Sequence, residues 1–308
     1  MKYLITGGCG FIGSHIAEAL AAEGESVVIY DNLSSGFEKN IAGFRDKVEF
    51  IKADVRDTDA LVHASAGADY LFHEAALVSV FESVEKPEMN NDVNITGMLN
   101  VLLAARHNKV KRVVVASSAA VYGNEPTLPK REDMRPQPES PYAIGKITDE
   151  YYMQVFAKLY GVQTVCLRYF NVFGPRQDPS SMYSGVISKF TDMVRAGQTP
   201  LIFGDGLQSR DFVFVKDVVQ ANLLAMRKEN VGAGEVFNVA TGQRTSLLDL
   251  LQILGKISGR KLTPEFRDAR AGDIKHSVAD ISRTKNILGY APKFTVSDGL
   301  KILMEQKG

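Results

Sequence analysis

Two stretches of this sequence combine residues that can move a proton. In Ser140-Pro141-Tyr142-Ala143-Ile144-Gly145-Lys146, a serine able to cap a helix and a proline suited to its first position introduce a tyrosine and a lysine four residues apart. Residues at that spacing project from one helix face. An ammonium beside a phenol favours the tyrosinate over its reference pKa near ~10, so the tyrosine can serve as a base near neutral pH. The second stretch, Val113-Val114-Val115-Ala116-Ser117-Ser118, reads as an apolar parallel strand ending in hydroxyls. Open α/β sheets bind ligands at such carboxyl ends. A serine there can hydrogen-bond the substrate oxygen that the tyrosine deprotonates. Ser118 lacks the G-x-S-x-G setting of an activated nucleophile, which excludes a hydrolase. Taken alone, a Tyr/Lys pair at this spacing also fits an ordinary helix surface.

The opening residues give the pair a context. Leu4-Ile5-Thr6-Gly7-Gly8-Cys9-Gly10-Phe11-Ile12-Gly13 runs from a β pattern through glycines at 7, 10 and 13 into an amphipathic helix. Glycines there permit a tight turn, a close backbone approach to a pyrophosphate and close helix–strand packing. The helix start offers free N–H groups to phosphate. Asp31 closes the second strand and is placed to accept hydrogen bonds from the ribose hydroxyls of a dinucleotide. It would repel a 2′-phosphate, and Asn32-Leu33-Ser34-Ser35-Gly36 brings no arginine or lysine, so NAD is expected rather than NADP. Cys9 reads as a small tolerated residue rather than a redox sensor.

Positioning these groups requires a sheet. Strand candidates are Lys2–Thr6, Ser26–Tyr30, Val48–Ile51, Tyr70–His73, Arg112–Ser117 and Thr164–Arg168, separated by helical patterns near 12–23, 57–66, 88–107 and 141–160. The alternation predicts an α/β fold: a Rossmann-type doubly wound parallel sheet with a smaller C-terminal α/β substrate lobe. The expected division is 1–170 for the cofactor domain and 171–308 for the second lobe, with segments crossing between them. Further helices are expected near 186–196, 216–229, 246–258 and 296–306.

Composition narrows the class. The 308 residues carry 36 Lys+Arg against 36 Asp+Glu, with 45% apolar and 23% charged residues. These are globular values, which excludes a disordered chain. The neutral total lacks the basic surplus of a nucleic-acid binder. No apolar run approaches the ~18–20 residues that cross a bilayer, and the glycine-rich start is no signal peptide. Cys9 and Cys166 make neither a disulfide framework nor a zinc spacing, and the five histidines show no ligand spacing, so no metal and a cytoplasmic setting are expected.

Four blocks occur in order: Thr6-Gly7-Gly8-Cys9-Gly10-Phe11-Ile12-Gly13, Ser117-Ser118-Ala119-Ala120-Val121-Tyr122-Gly123, Tyr142-xxx-Lys146, and Leu167-Arg168-Tyr169-Phe170-Asn171-Val172-Phe173-Gly174-Pro175. With later blocks such as Arg210-Asp211-Phe212 and Asp217-Val218, the chain resembles, over nearly its whole length, extended short-chain dehydrogenases/reductases. Within them it is most similar to nucleotide-sugar epimerases of the UDP-glucose 4-epimerase type. The resemblance implies Ser118, Tyr142 and Lys146 as a catalytic triad. It places Phe11, Ile12, Asp31–Gly36, Asp54, Val55, Asn94 and Ser117 around NAD, with Ala75, Ala76 and Phe170 at its nicotinamide end. It assigns the nucleotide to Asn171, Phe203, Arg210, Arg270 and Asp273, arginines on the pyrophosphate, Phe203 on the base and Asp273 on the uridine ribose.

Related dehydratases carry an Asp-Glu pair after the strand hydroxyl, and related decarboxylases a glutamate. Here Ala119-Ala120 can transfer no proton, which disfavours elimination. The expected reaction is C4 epimerisation of a UDP-hexose by an isomerase: oxidation to a 4-keto sugar, its rotation, and return of the hydride to the other face. Ser277 stands where several relatives have tyrosine and would leave room for an N-acetyl group, so both the glucose/galactose and the N-acetylhexosamine pairs are expected substrates. A UDP-glucuronate 4-epimerase, with Lys189 as carboxylate partner, is the enzymatic rival. A silent NAD-sensing regulator is the rival of another class, and a small-alcohol dehydrogenase the third. Departures from the family pattern are Val78, Phe81-Glu82, Gly145 and Ser188. A homodimer through the helices near 88–107 and 141–160 is expected.

Overall fold

A computed structural model of the chain describes residues 1–178, 185–268 and 275–305. The six strands expected from the β-rich runs form: β1 (Lys2–Thr6), β2 (Ser26–Asp31), β3 (Val48–Lys52), β4 (Tyr70–His73), β5 (Arg112–Ser118) and β6 (Gln163–Tyr169). Between and after them lie α1 (Phe11–Ala22), α2 (Thr58–Ala64), α3 (Val80–Glu85), α4 (Pro87–Asn90), α5 (Gly97–His107) and α6 (Pro141–Tyr160). The rest contributes β7 (Asn171–Phe173), α7 (Val186–Arg195), β8 (Leu201–Phe203), β9 (Ser209–Arg210), β10 (Phe212–Phe214), α8 (Val215–Arg227) and β11 (Ala233–Val239). It ends with β12 (Thr245–Ser246), α9 (Leu247–Ser258), β13 (Glu265–Arg267), α10 (Ser282–Leu288) and α11 (Val296–Glu305).

The main sheet has seven strands in the order β11-β6-β5-β4-β1-β2-β3, all paired in parallel. Alternate residues feed two cores: Tyr3, Ile5, Val27, Ile29, Val165 and Leu167 on one face, Leu4, Val28, Val113, Val115 and Cys166 on the other. Both faces are covered, α1 and α8 packing on the first and α2, α5 and α6 on the second. That is why these strands read as unbroken apolar runs. The fold is the doubly wound Rossmann type that the alternation predicts.

The seventh strand, β11, went unforeseen. Its register slips between Ala233 and Glu235, and Asn238 interrupts its apolar run. Asn238 is nonetheless fully buried and accepts the Tyr122 hydroxyl at 2.6 Å. Arg112 fastens the same region: its guanidinium donates to the carbonyls of Ala225, Met226, Lys228 and Val231, fixing the end of α8 beside β5. A third core, including Phe190, Ile202, Phe214, Leu250, Leu254 and Leu300, gathers α7, α9 and α11 against β8 and β10.

The stretch near 88–107 is not one α-helix. It runs as α4, a π-helical segment at Asn91–Thr96, then α5. The π segment carries Asn94, buried, whose Oδ1 accepts from Leu77 N and whose Nδ2 donates to Leu77 O and Asn90 Oδ1. Such single-turn insertions concentrate at functional sites. A Cβ on Gly145 would stand 3.2 Å from the Asn94 Cβ, a tight contact between α6 and the π segment.

Candidate active site

At the carboxyl end of the sheet the glycine loop folds as its composition requires. Gly7 has φ +68°, and a Cβ there would lie 2.6 Å from Ala75 N. A Cβ on Gly13 would lie 2.3 Å from Gly7 O. Both contacts are with backbone, so the loop admits no side chain at either place. α1 starts at Phe11 after Gly10 with no side-chain cap, leaving its first N–H groups for a ligand. This cradle fits a dinucleotide pyrophosphate. The turn after β4 closes on it, Ala75 N donating to Thr6 Oγ1 at 3.5 Å.

Asp31 braces the loop. Its Oδ2 accepts from Cys9 N and its Oδ1 from Leu33 N, both within 2.9 Å, so it ties the segment 31–36 to the glycine loop. Burial raises its pKa, and those two N–H groups oppose the rise. The carboxylate keeps further lone pairs for a ribose hydroxyl. Asp54 is committed elsewhere: Arg56 holds it through two side-chain hydrogen bonds and Asn32 donates to it, which keeps its carboxyl well below the usual range. Val55 is buried beside it. Burial pushes the Cys9 thiol up to about 12, so it stays a thiol and no redox sensor.

The residues expected to transfer the proton stand on two elements, β5 and α6. Ser140 caps α6 by accepting from Ala143 N, with Pro141 at the first position. Tyr142 and Lys146 follow within the first two turns, the Lys146 Nζ lying 6.0 Å from the centre of the Tyr142 ring. Ser83 of α3 accepts from Tyr142 N at 3.1 Å and steadies the start of the helix. Ser118 ends β5 and accepts from Ala120 N. Its neighbour Ser117 is buried and donates to Glu150 Oε1 at 2.6 Å, which Arg168 of β6 grips with two hydrogen bonds of 2.8 Å. Strand end and helix are thereby locked together. Ser117 thus acts in this lock, a role that its sequence context does not announce. Phe170 is buried against Tyr122, with ring centres 6.2 Å apart.

Around Lys146 lie groups with shifted titration. Burial, aided by the Lys146 charge, pushes His73 down to about 3, so its imidazole is neutral where it meets Thr6 Oγ1 at 2.7 Å. Desolvation pushes Glu74 up to about 7, against hydrogen bonding from Tyr169 and the pull of Lys146. His15 bonds Pro175 O at 3.0 Å and joins α1 to the stretch after β7.

After β6, strand pairing places part of the expected nucleotide set. Asn171 lies opposite Phe212, and Arg210 pairs with Thr245 while donating to Ser209 O. Ser277 N donates to Ser209 O, which sets Ser277 beside Arg210. Phe203 sits on β8 opposite Arg267. Arg270 and Asp273 lie outside the described residues. Asp211 explains the Arg-Asp-Phe block: fully buried, it accepts from Thr241 N, Thr241 Oγ1, Gly242 N and Ala279 N and so holds three chain segments under Arg210. A buried acid next to an arginine carried no sequence signal for that work.

Among the described residues, no helix is long and apolar enough to cross a membrane. Residues 3–240 match the NAD dependent epimerase/dehydratase family. A UDP-glucose 4-epimerase of Mycolicibacterium smegmatis is 40% identical over 99% of this chain and 98% of its own length. A UDP-N-acetylglucosamine 4-epimerase from Methanobrevibacter ruminantium, solved in complex with UDP-N-acetylmuramic acid, superposes with a TM-score of 0.94 at 40% identity, covering 99% of this chain and 97% of that one. A UDP-glucuronic acid 4-epimerase from Bacillus cereus, solved with UDP-glucuronic acid and NAD, gives a TM-score of 0.90 at 32% identity over 98% and 97% of the two chains. The family match covers residues 3–240 and the relatives align over nearly the whole chain, so the chain belongs to the NAD dependent epimerase/dehydratase family.

Proposed function

We propose that this protein is an isomerase that inverts C4 of a UDP-hexose with NAD as resident cofactor. The observation that carries the reading is the bond from Ser117 to Glu150, which ties the Tyr142/Lys146 helix to the strand ending in Ser118, followed by the inert pair Ala119-Ala120. The residues that would hold NAD are the loop Gly7–Gly13, Asp31 with the segment to Gly36, and the turn at Ala75 and Ala76. NAD, when bound there, would supply the acceptor and donor for the C4 hydride. Tyr142 removes the O4 proton and returns it; Ser118 hydrogen-bonds the same oxygen; Lys146 supplies the positive charge that favours the tyrosinate. Asn171, Phe203 and Arg210 hold the nucleotide while the sugar turns, which is how both faces of C4 meet one cofactor. The main lobe is residues 1–170 with the returning segment α8–β11, and the remainder of 171–308 forms the smaller lobe.

Purified protein, given no added cofactor, is expected to convert UDP-glucose and UDP-N-acetylglucosamine each into its 4-epimer, without accumulating NADH. UDP-glucuronate, included as a third substrate, reports the rival reading. No 4-epimer from any of the three would overturn the proposal. Ser277→Tyr is expected to remove the N-acetyl activity at least tenfold more than the glucose activity; equal losses would reject Ser277 as the gate.

The same reading includes a homodimer. Leu103 of α5 and Ile144, Tyr151, Val155 and Leu159 of α6 are large apolar residues left exposed, Leu159 by 63%. On α6 they recur at spacings that make one stripe. Light scattering is expected to give twice the 33.8 kDa chain mass, and half of it for Val155→Lys with Leu159→Lys. A wild-type mass of one chain would reject the dimer.

A further inference from the structure

Asp149 stands one turn after Lys146 on α6, with Oδ2 3.5 Å from Lys146 Nζ. The side chains are 0% and 3% exposed. The other carboxyl oxygen, Oδ1, is buried and has no hydrogen-bond partner among the described residues. An acceptor stripped of water with nothing in exchange costs stability, and an apolar side chain of similar size would fill the place more cheaply. Among the described residues Asp149 caps no helix and bridges no strands; its Oδ2 meets the lysine, and its Oδ1 meets no donor. A group this costly, in contact with Lys146, points to work done through that lysine.

We infer that Asp149 is a positioning residue that holds Lys146 toward the interior and sets how strongly its charge acts on Tyr142. The inference rests on the epimerase reading of the same site. Ionised, Asp149 cancels much of the ammonium's field and opposes the tyrosinate. Protonated, it leaves the ammonium uncompensated, and the tyrosinate forms more readily.

The groups facing this pair fall into two kinds. Glu150 of α6 is neutralised by Arg168 of β6 and bonded by Ser117 of β5. His73 of β4 is neutral, and burial keeps the Cys166 thiol of β6 protonated. Asn90 and Asn94, from α4 and the π segment, carry no charge. What remains is Asp149 itself, which burial raises to about 7 against the pull of Lys146, and Glu74, held at about 7 as well. The two carboxyls that face Lys146 therefore change charge in the neutral range, and such coupled sites titrate broadly.

The test is an ultraviolet difference titration in which Tyr142→Phe, subtracted from wild type, isolates the Tyr142 tyrosinate band. In an Asp149→Asn background the band is expected to rise about one pH unit lower and over a narrower range. The acid limb of kcat should move with it, at unchanged NAD content. Glu74→Gln, carried in parallel, measures the share of the second carboxyl. A band that does not move makes Asp149 merely structural, and a band that moves to higher pH means that the lysine lost its charge; either overturns the inference. Should Asp149→Asn fail to fold, Asp149→Ala is expected to give the same downward shift. The titration needs no turnover, so a wild type that epimerises nothing would overturn the function and leave this result readable.

Discussion

Tyr142→Phe is expected to lower the epimerisation rate by about a thousandfold while leaving fold, bound NAD and KM close to wild type. The size follows from the work assigned to the hydroxyl: a positioned acid/base group contributes ~10²–10⁴ in rate. The selectivity follows from geometry. The contact that anchors the residue runs from its backbone N–H to Ser83 Oγ, and the ring keeps its place over the first turn of α6 in the phenylalanine variant. Lys146 keeps Asp149, and the lock of Ser117, Glu150 and Arg168 does not involve the hydroxyl. Thermal midpoint and NAD content, measured on the same preparation, check that only chemistry was lost. Activity within tenfold of wild type would dismiss Tyr142 as the base.

How much of this site was legible depended on whether a residue's task shows in its local pattern. β1, β2, β5 and β6 were legible because a strand covered on both faces is apolar throughout. The boundaries of α6 were legible to the residue, since Ser140, Pro141 and Gly161 mark a helix start and stop. The glycine loop was legible for the same reason, because its backbone requirement is met by one residue type. β11 was not. A bulge at Gly234 and a buried asparagine break its run, and its place at the sheet edge is set by a partner, Tyr122, that lies 116 residues away. The π segment was hidden because an inserted residue shifts the helical period without changing composition. Asp149, Glu150 and Asp211 read as ordinary charged residues; only the packing shows that water is excluded from all three. Long-range partners make such groups what they are, and no local window contains both members.

A division of labour within the proposed site follows from this. The proton-transfer groups of the proposed reaction, Tyr142, Lys146 and Ser118, sit at the end of β5 and in the first two turns of α6, with buried ion pairs behind them. The residues proposed to hold the nucleotide, Asn171, Phe203 and Arg210, lie on short two- and three-residue strands that pair across segments distant in sequence. A sugar that must turn between two half-reactions needs its handle fixed and its ring free, and rigid chemistry beside a separately built grip provides both.

The second large effect concerns the cradle. Gly13→Ala adds one methyl group, 2.3 Å from Gly7 O, 2.9 Å from Gly7 C and 3.0 Å from Gly8 Cα. All three atoms are backbone, so no side chain can swing aside; either α1 or the loop must move. Overpacking of this kind costs about 1–3 kcal/mol. Here it falls on the N–H groups that would meet the pyrophosphate, so the cost appears in cofactor affinity as well as in stability. Every ~1.4 kcal/mol is tenfold in binding, which predicts NAD held about 10–100-fold more weakly and a preparation largely stripped of cofactor after desalting. Gly43→Ala is the matched control: nothing lies within 4 Å of its added Cβ, and its φ is not in the left-handed region. That variant should keep its NAD and its thermal midpoint. Chromatography of the nucleotide released from acid-quenched protein reads the difference directly. Equal NAD content in Gly13→Ala and wild type would remove the glycine loop from the cofactor site, whatever the epimerisation assay returns.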